Sequence, residues 1–123
     1  MLYAILCYNH EDTIVAMSKA EDDAMMARIH EVETNLTREG RLGPVARLMP
    51  TTAATTLRKD CEPPLVIDGP FAETKEQLLG FYMVECDDLA HALETAKALG
   101  RANPGGAYEI RPVSVFRPGG SAE

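Results

Sequence analysis

Five side chains have the types and positions to meet at one small pocket: Tyr3, His10, Asp68, Phe71 and Glu73. Asp68 is the candidate acid or base among them. A carboxyl partly buried beside aromatic groups holds its proton closer to neutrality and can exchange it. The same carboxylate can instead accept hydrogen bonds from backbone N–H groups two or three residues on, stay ionised and close a turn. The residues alone leave both roles open. His10 follows an apolar segment, where an imidazole reaches either a pocket rim or plain solvent. Cys7-x-x-His10 has the spacing of half a metal site, but no second Cys/His pair accompanies it, so no metal is expected. The Thr-rich stretch Ala53–Lys59 lacks the glycines and following helix of a phosphate cradle, and no cofactor is expected.

The elements that must position these residues follow from hydrophobic spacing. Leu2-Tyr3-Ala4-Ile5-Leu6-Cys7-Tyr8 is apolar or aromatic in both phases, so this first strand is expected to be covered on both faces. Ser18-Lys19-Ala20-Glu21 is a capping box, and Met25, Ile29, Val32 and Leu36 form a stripe, predicting a helix over 19–39. Strands are expected at Val45–Met49, Ala53–Lys59, Leu65–Ile67 and Leu79–Glu85, with at most one helical turn at Thr74–Gln77. Cross-strand Thr pairing is the expected reason for the Thr-rich stretch. Asp87 or Asp88 caps a second helix facing inward through Leu89, Ala92, Leu93, Ala96 and Leu99 and stopped by Gly100. His30 and His91 fall on solvent faces. In the last strand, Ala107–Phe116, Pro112 belongs at an edge, a bulge or a change of pairing partner, and the apolar phase shifts after Ile110; a bulge at Arg111-Pro112 would explain both. Residues 117–123 read as a mobile tail after a single domain of 1–116.

The order is β-α-β-β-β-β-α-β, a split βαβ pattern with an extra hairpin strand, giving an α+β fold. Two helices cover one face of an antiparallel sheet. The other face is expected to receive Tyr3, Ile5 and Cys7, together with Phe81 and Met83 or Tyr82 and Val84. That patch is larger than a monomer usually exposes, and a second copy covers it most simply. The five candidate residues would then line the mouth between two facing sheets.

The run Asp68-Gly69-Pro70-Phe71-Ala72-Glu73-Thr74-Lys75-Glu76-Gln77, leading into Leu78–Cys86, resembles the signature of DGPF-domain proteins, a branch of the YCII-related family. Similarity extends to the Tyr3–Tyr8 strand, Ala53–Arg58 and Glu109–Val113. The resemblance implies a ferredoxin-like fold that dimerises through its sheets into an α/β barrel, and it implies no settled activity. In the YCII-type branch, proposed enzymes carry a histidine early in the first helix and an aspartate before a proline ahead of the last strand. Alignment places Met25 and Asn103 there, groups that carry no proton at neutral pH. Either the pair is absent or the alignment shifts by a turn. Members are also associated with sigma factors of the extracytoplasmic-function type, which makes such a regulator a candidate partner.

The totals narrow the classes. A chain of 123 residues, 46% hydrophobic and 25% charged, suits one soluble domain with its own core. A net charge of −7 disfavours nucleic acid and would suit a basic protein partner. Three cysteines with no C-x-x-C spacing predict reduced thiols and a cytoplasmic setting. Neither a signal peptide nor a membrane span is expected. The function read at this level is a small-molecule binding protein or cofactor-free enzyme, with a partner-binding module as the alternative.

Overall fold

A computed structural model describes residues 1–120; part of the expected tail, 121–123, lies outside the described residues. Strand β1 (Leu2–Asn9) is followed by a short helix α1 (Glu11–Val15) and the long helix α2 (Lys19–Arg38). Strand β2 (Leu42–Arg47), a hairpin of β3 (Thr55–Arg58) and β4 (Leu65–Asp68), β5 (Gln77–Glu85), α3 (Leu89–Ala102) and β6 (Ala107–Pro112) complete the order. The four-stranded sheet runs β2-β5-β1-β6 and every neighbouring pair is antiparallel. This is the split βαβ arrangement of a ferredoxin-like fold: β5 lies between β1 and β2, and β1 between β5 and β6.

Helix α2 forms where its pattern and caps agree. The Ser18 hydroxyl accepts from the Glu21 N–H at 3.1 Å, while the Glu21 carboxylate accepts from the Ser18 N–H at 2.9 Å. Met25, Ile29 and Leu36 are buried, and Val32 packs beside them. Helix α3 starts at Asp88, whose carboxylate accepts from the His91 N–H at 2.8 Å. Its inner face is Ala92, Thr95, Ala96, Leu99 and Ala102, whereas the expected Leu89 and Leu93 are exposed. The rotation brings Thr95 to the half-buried Arg41 guanidinium, which also bonds Cys86 Sγ at 3.4 Å and the Glu85 carbonyl at 2.9 Å. Small side chains at 92 and 96 let the helix settle close to the sheet.

The face assignment of β1 needs correction. Tyr3 and Ile5 lie in the core beneath the helices with Tyr82 and Val84, and Cys7 packs against that core. Strand register therefore puts Ala46, Phe81 and Leu6 in one row, and Met83 and Ala4 in the next, on the face turned away from the helices. Two apolar phases in one strand left the sequence without a means of telling the faces apart.

Other expectations also shift. Strand β6 keeps an unbroken register with β1 and ends at Pro112; the change of phase marks its end rather than a bulge. Of the three places open to Pro112, the edge is the one it takes: β6 is an edge strand. The irregularities fall instead between Cys7 and Tyr8 opposite β5, and between Leu42 and Val45 in β2. Residues 74–77 form no helical turn, because Gln77 already belongs to β5. In the hairpin, Thr55 and Thr56 face Asp68 and Ile67, so no Thr pairs with Thr. The hairpin is a separate two-stranded sheet, with Leu57, Leu65, Val66 and Phe71 exposed.

Candidate functional site

A cavity of about 420 Å³ opens on the helix side of the sheet. Its floor is built by three neighbouring strands: Cys7 from β1, Gly80 and Tyr82 from β5, and Tyr108 from β6. One wall is α2 from Asp22 to Glu33, with Asp22, Met25, Met26, Ile29 and Glu33. The opposite wall is β2 and the segment after it, from Val45 to Pro50. Helix α1 closes the top with Glu11, Ile14 and Val15, and Asn103 and Gly105 close the end beyond α3.

Local contacts explain why these segments hold their places. The Glu11 carboxylate accepts from the Thr51 N–H at 2.9 Å and from the Thr51 hydroxyl, which ties α1 to the segment after β2. The Glu11 N–H donates to Gln77 Oε1 at 3.0 Å, tying α1 to β5 as well. Arg47 and Asp22 form an ion pair at 3.1 Å from β2 to α2. Arg28 Nε donates to the Ala102 carbonyl at 3.1 Å and fixes the end of α3 that presents Asn103. Gly80 has no room for a side chain, since a Cβ there would collide with the Ala46 carbonyl oxygen.

The floor is polar but uncharged at neutral pH. Burial pushes the Cys7 thiol up to about 12, so it is not a thiolate nucleophile. Burial also pushes Tyr108 up to about 12, reinforced by Cys7 and partly offset by Asn103 and Tyr82. Tyr82 is raised further, chiefly by burial and then by Tyr108, Cys7 and the charge of Glu33. The two phenol rings meet edge to face at 6.4 Å. The Tyr108 hydroxyl is sealed from solvent, with the Asn103 and Tyr82 side chains as its polar neighbours.

None of the five sequence candidates lines this cavity. Tyr3 is core. His10 is exposed, caps α1 in extended conformation without a side-chain bond, and stands between two lining residues, Asn9 and Glu11. Asp68 ends β4 on the detached hairpin, exposed to solvent. Its turn is closed by other groups than its carboxylate: the Gly69 N–H donates to the Ala54 carbonyl and the Thr56 hydroxyl donates to the Gly69 carbonyl, each at 2.8 Å. Gly69 has φ +105°, which a side chain would strain. Phe71 is 75% exposed, with the Arg58 guanidinium 5.3 Å from its ring centre. Glu73 is exposed.

Met25 and Asn103 behave differently. The alignment paired them although they stand 78 positions apart in the chain, and both line the same cavity. A shift of one helical turn from Met25 would substitute Asp22 or Ile29, and no histidine is among the lining residues. Among the described residues no cluster of three or more His, Cys, Asp or Glu could hold a metal ion. Sequence reasoning missed Tyr82 and Tyr108 as a pair. Their signal was the alternation Tyr108/Ile110 and Tyr82/Val84, which puts each tyrosine in phase with a core residue.

Comparison with known proteins agrees with the architecture. The model of the YCII-related domain matches residues 1–117. A protein of Rhizobium meliloti (strain 1021), called only uncharacterized, is 53% identical over 120 residues, covering 97% of each chain. No described helix is long and apolar enough to cross a membrane. A family match over almost the whole length and a relative 53% identical across nearly all of both chains lead to one conclusion: the chain belongs to the YCII-related family.

Proposed function

We propose that this protein binds a small molecule in the cavity between α2 and the sheet, as a homodimer joined through the opposite sheet face. The observation that carries the binding role is a 420 Å³ space with apolar walls over an uncharged, polar floor. That volume is in the range of small-molecule sites, and its lining mixes many apolar side chains with a few polar ones. The site differs from the mouth near Asp68 expected between facing sheets, since this cavity lies under the helices.

The dimer role is supported by the outer face. Leu6, Ala4, Phe81, Met83 and Ala46 form an apolar centre, and β6 adds Glu109 beside Leu6 and Arg111 beside Ala4. An acid and a base two residues apart on an edge strand suit a two-fold axis, which sets each opposite its counterpart.

The binding role is tested by a thermal-shift screen of small apolar molecules against the wild type and Met26→Trp. Met26 is partly exposed on the cavity wall, so an indole there fills space without disturbing the core. At least one compound should raise the melting temperature of the wild type and leave the filled variant unmoved. Equal shifts in both proteins, or none in the wild type, would remove the cavity from consideration.

A further inference from the structure

We propose that the cavity takes an organic cation, an ammonium group joined to an apolar body, with the Glu33 carboxylate as its counter-ion. The inference rests on the binding role proposed above and adds the chemical class of the ligand.

Met25, Ile29 and Glu33 recur at i, i+4 and i+8 of α2, and all three line the cavity. The first two are buried core residues, whereas the third puts a carboxylate where the stripe would continue apolar. Glu33 is partly buried, and its backbone carbonyl accepts from the Thr37 hydroxyl at 2.9 Å. Its carboxylate meets no hydrogen-bond donor or cation among the described residues. The other two lining carboxylates are already engaged: Glu11 by the N–H and hydroxyl of Thr51, Asp22 by Arg47. Arg47 is the one Lys or Arg among the described lining residues. Unlike the sealed Tyr108 hydroxyl, Glu33 keeps exposed surface and borders the open space, so a ligand can reach it. A carboxylate drawn partly out of water without a partner costs free energy, which a cationic ligand offsets.

The floor favours the same class. Tyr82 and Tyr108 meet there edge to face, and the charge of Glu33 adds to burial, Tyr108 and Cys7 in keeping the Tyr82 phenol protonated. An ammonium paired with Glu33 thus lies near aromatic rings and meets no competing cation there. Ile14, Met26, Leu48 and Met49 supply apolar walls for the rest of the ligand, and the methionines adapt to its shape. A carboxylate or phosphate ligand would face three acids with the one guanidinium already engaged. A bare metal ion would find no cluster of three His, Cys, Asp or Glu among the described residues.

Three naphthalenes of similar shape separate the possibilities: 2-naphthylmethylamine, 2-naphthylmethanol and 2-naphthoate, titrated calorimetrically at neutral pH into wild type, Glu33→Gln and Glu31→Gln. Glu31 is exposed on α2 and does not line the cavity, so its variant removes the same charge elsewhere. The amine, protonated at that pH, should bind the wild type about tenfold more tightly than the alcohol, the worth of one charge-assisted contact. Glu33→Gln should bring that ratio near one while the alcohol affinity holds, and Glu31→Gln should keep the wild-type ratio. Naphthoate should bind the wild type most weakly of the three. An alcohol that binds as well as the amine, a ratio that survives in Glu33→Gln, a ratio that collapses equally in Glu31→Gln, or naphthoate as the tightest ligand overturns the cation preference and leaves the cavity role intact. The ratios in wild type and Glu31→Gln decide the matter if Glu33→Gln fails to fold. No binding of any of the three also overturns the preference, and the cavity role falls with it only if the thermal-shift screen is empty too.

Discussion

At the scale of single residues, the floor of the cavity stores a pH dependence. Cys7 and Tyr108 both titrate near 12 in the folded chain, from ordinary values of 9.0 and 10.0. Burial favours their neutral forms, so the folded state keeps protons that the unfolded chain releases as pH rises past 9. Stability contributed by these groups is complete below pH 9 and is lost between pH 9 and 12. The urea midpoint should therefore fall steadily over that range. Tyr108→Phe should flatten the fall, because phenylalanine has no proton to lose. A midpoint in the variant with the wild-type slope would show that the phenol is not held neutral by burial.

The same scale separates what could be read in advance from what could not. Met25 and Asn103 were located from a resemblance and do share a cavity. Asp68 drew attention because Asp-Gly-Pro is a strong turn signal, and a turn is what it marks: Gly69 adopts φ +105° and Thr56 closes the loop. Turn chemistry is local and therefore legible. Whether a turn also borders a cavity depends on where its hairpin docks, and short-range spacing carries no trace of that.

At the scale of elements, legibility follows length and contrast. Helix α2 has twenty residues, a stripe and a capping box that agree, and its bounds were found within a residue. Helix α1 has five residues and no buried side chain, so no periodicity announced it. Its anchor is a pair of tethers, to Thr51 and to Gln77, from residues distant in the chain. Helix α3 misled through Leu93, which hydropathy places inside, because the Arg41–Thr95 contact sets the rotation instead.

Two substitutions test these elements by urea denaturation. Ser18→Ala should cost about 1 kcal/mol through loss of the α2 cap. Gly80→Ala should cost about 1–3 kcal/mol, because the new methyl must push β2 away from β5. A loss in Gly80→Ala smaller than that in Ser18→Ala would mean that β2 yields easily, and that the cavity wall it forms is soft.

At the scale of the whole molecule, the two faces of the sheet divide the work. One holds the core and the cavity; the other presents Leu6, Phe81 and Met83 to a second copy in the proposed dimer. Light scattering after size exclusion should give twice the 13.4 kDa chain mass for wild type. Phe81→Lys should bring it to one chain mass with its circular dichroism spectrum retained, since that row lies outside the core. A wild type that stays at one chain mass at high concentration ends the face-to-face arrangement while leaving the helix-side cavity in place. The split βαβ order itself was legible, since six strand runs and two long helices admit few antiparallel sheets.

One extra residue in β5 has a reach beyond its own strand. Cys7 pairs with Gly80, yet Tyr8 pairs with Leu78, so Leu79 is uncounted by the ladder and the odd–even parity of β5 changes there. Gln77, on the near side of that change, holds α1 through the Glu11 N–H, and α1 roofs the cavity. A ladder that kept Leu79 in step would pair it with Tyr8 and Leu78 with Asn9, and would turn Gln77 to the opposite surface. The roof would come untethered from β5 although no residue that contacts it had been replaced. Arithmetic along a strand thus decides whether the chamber has a lid.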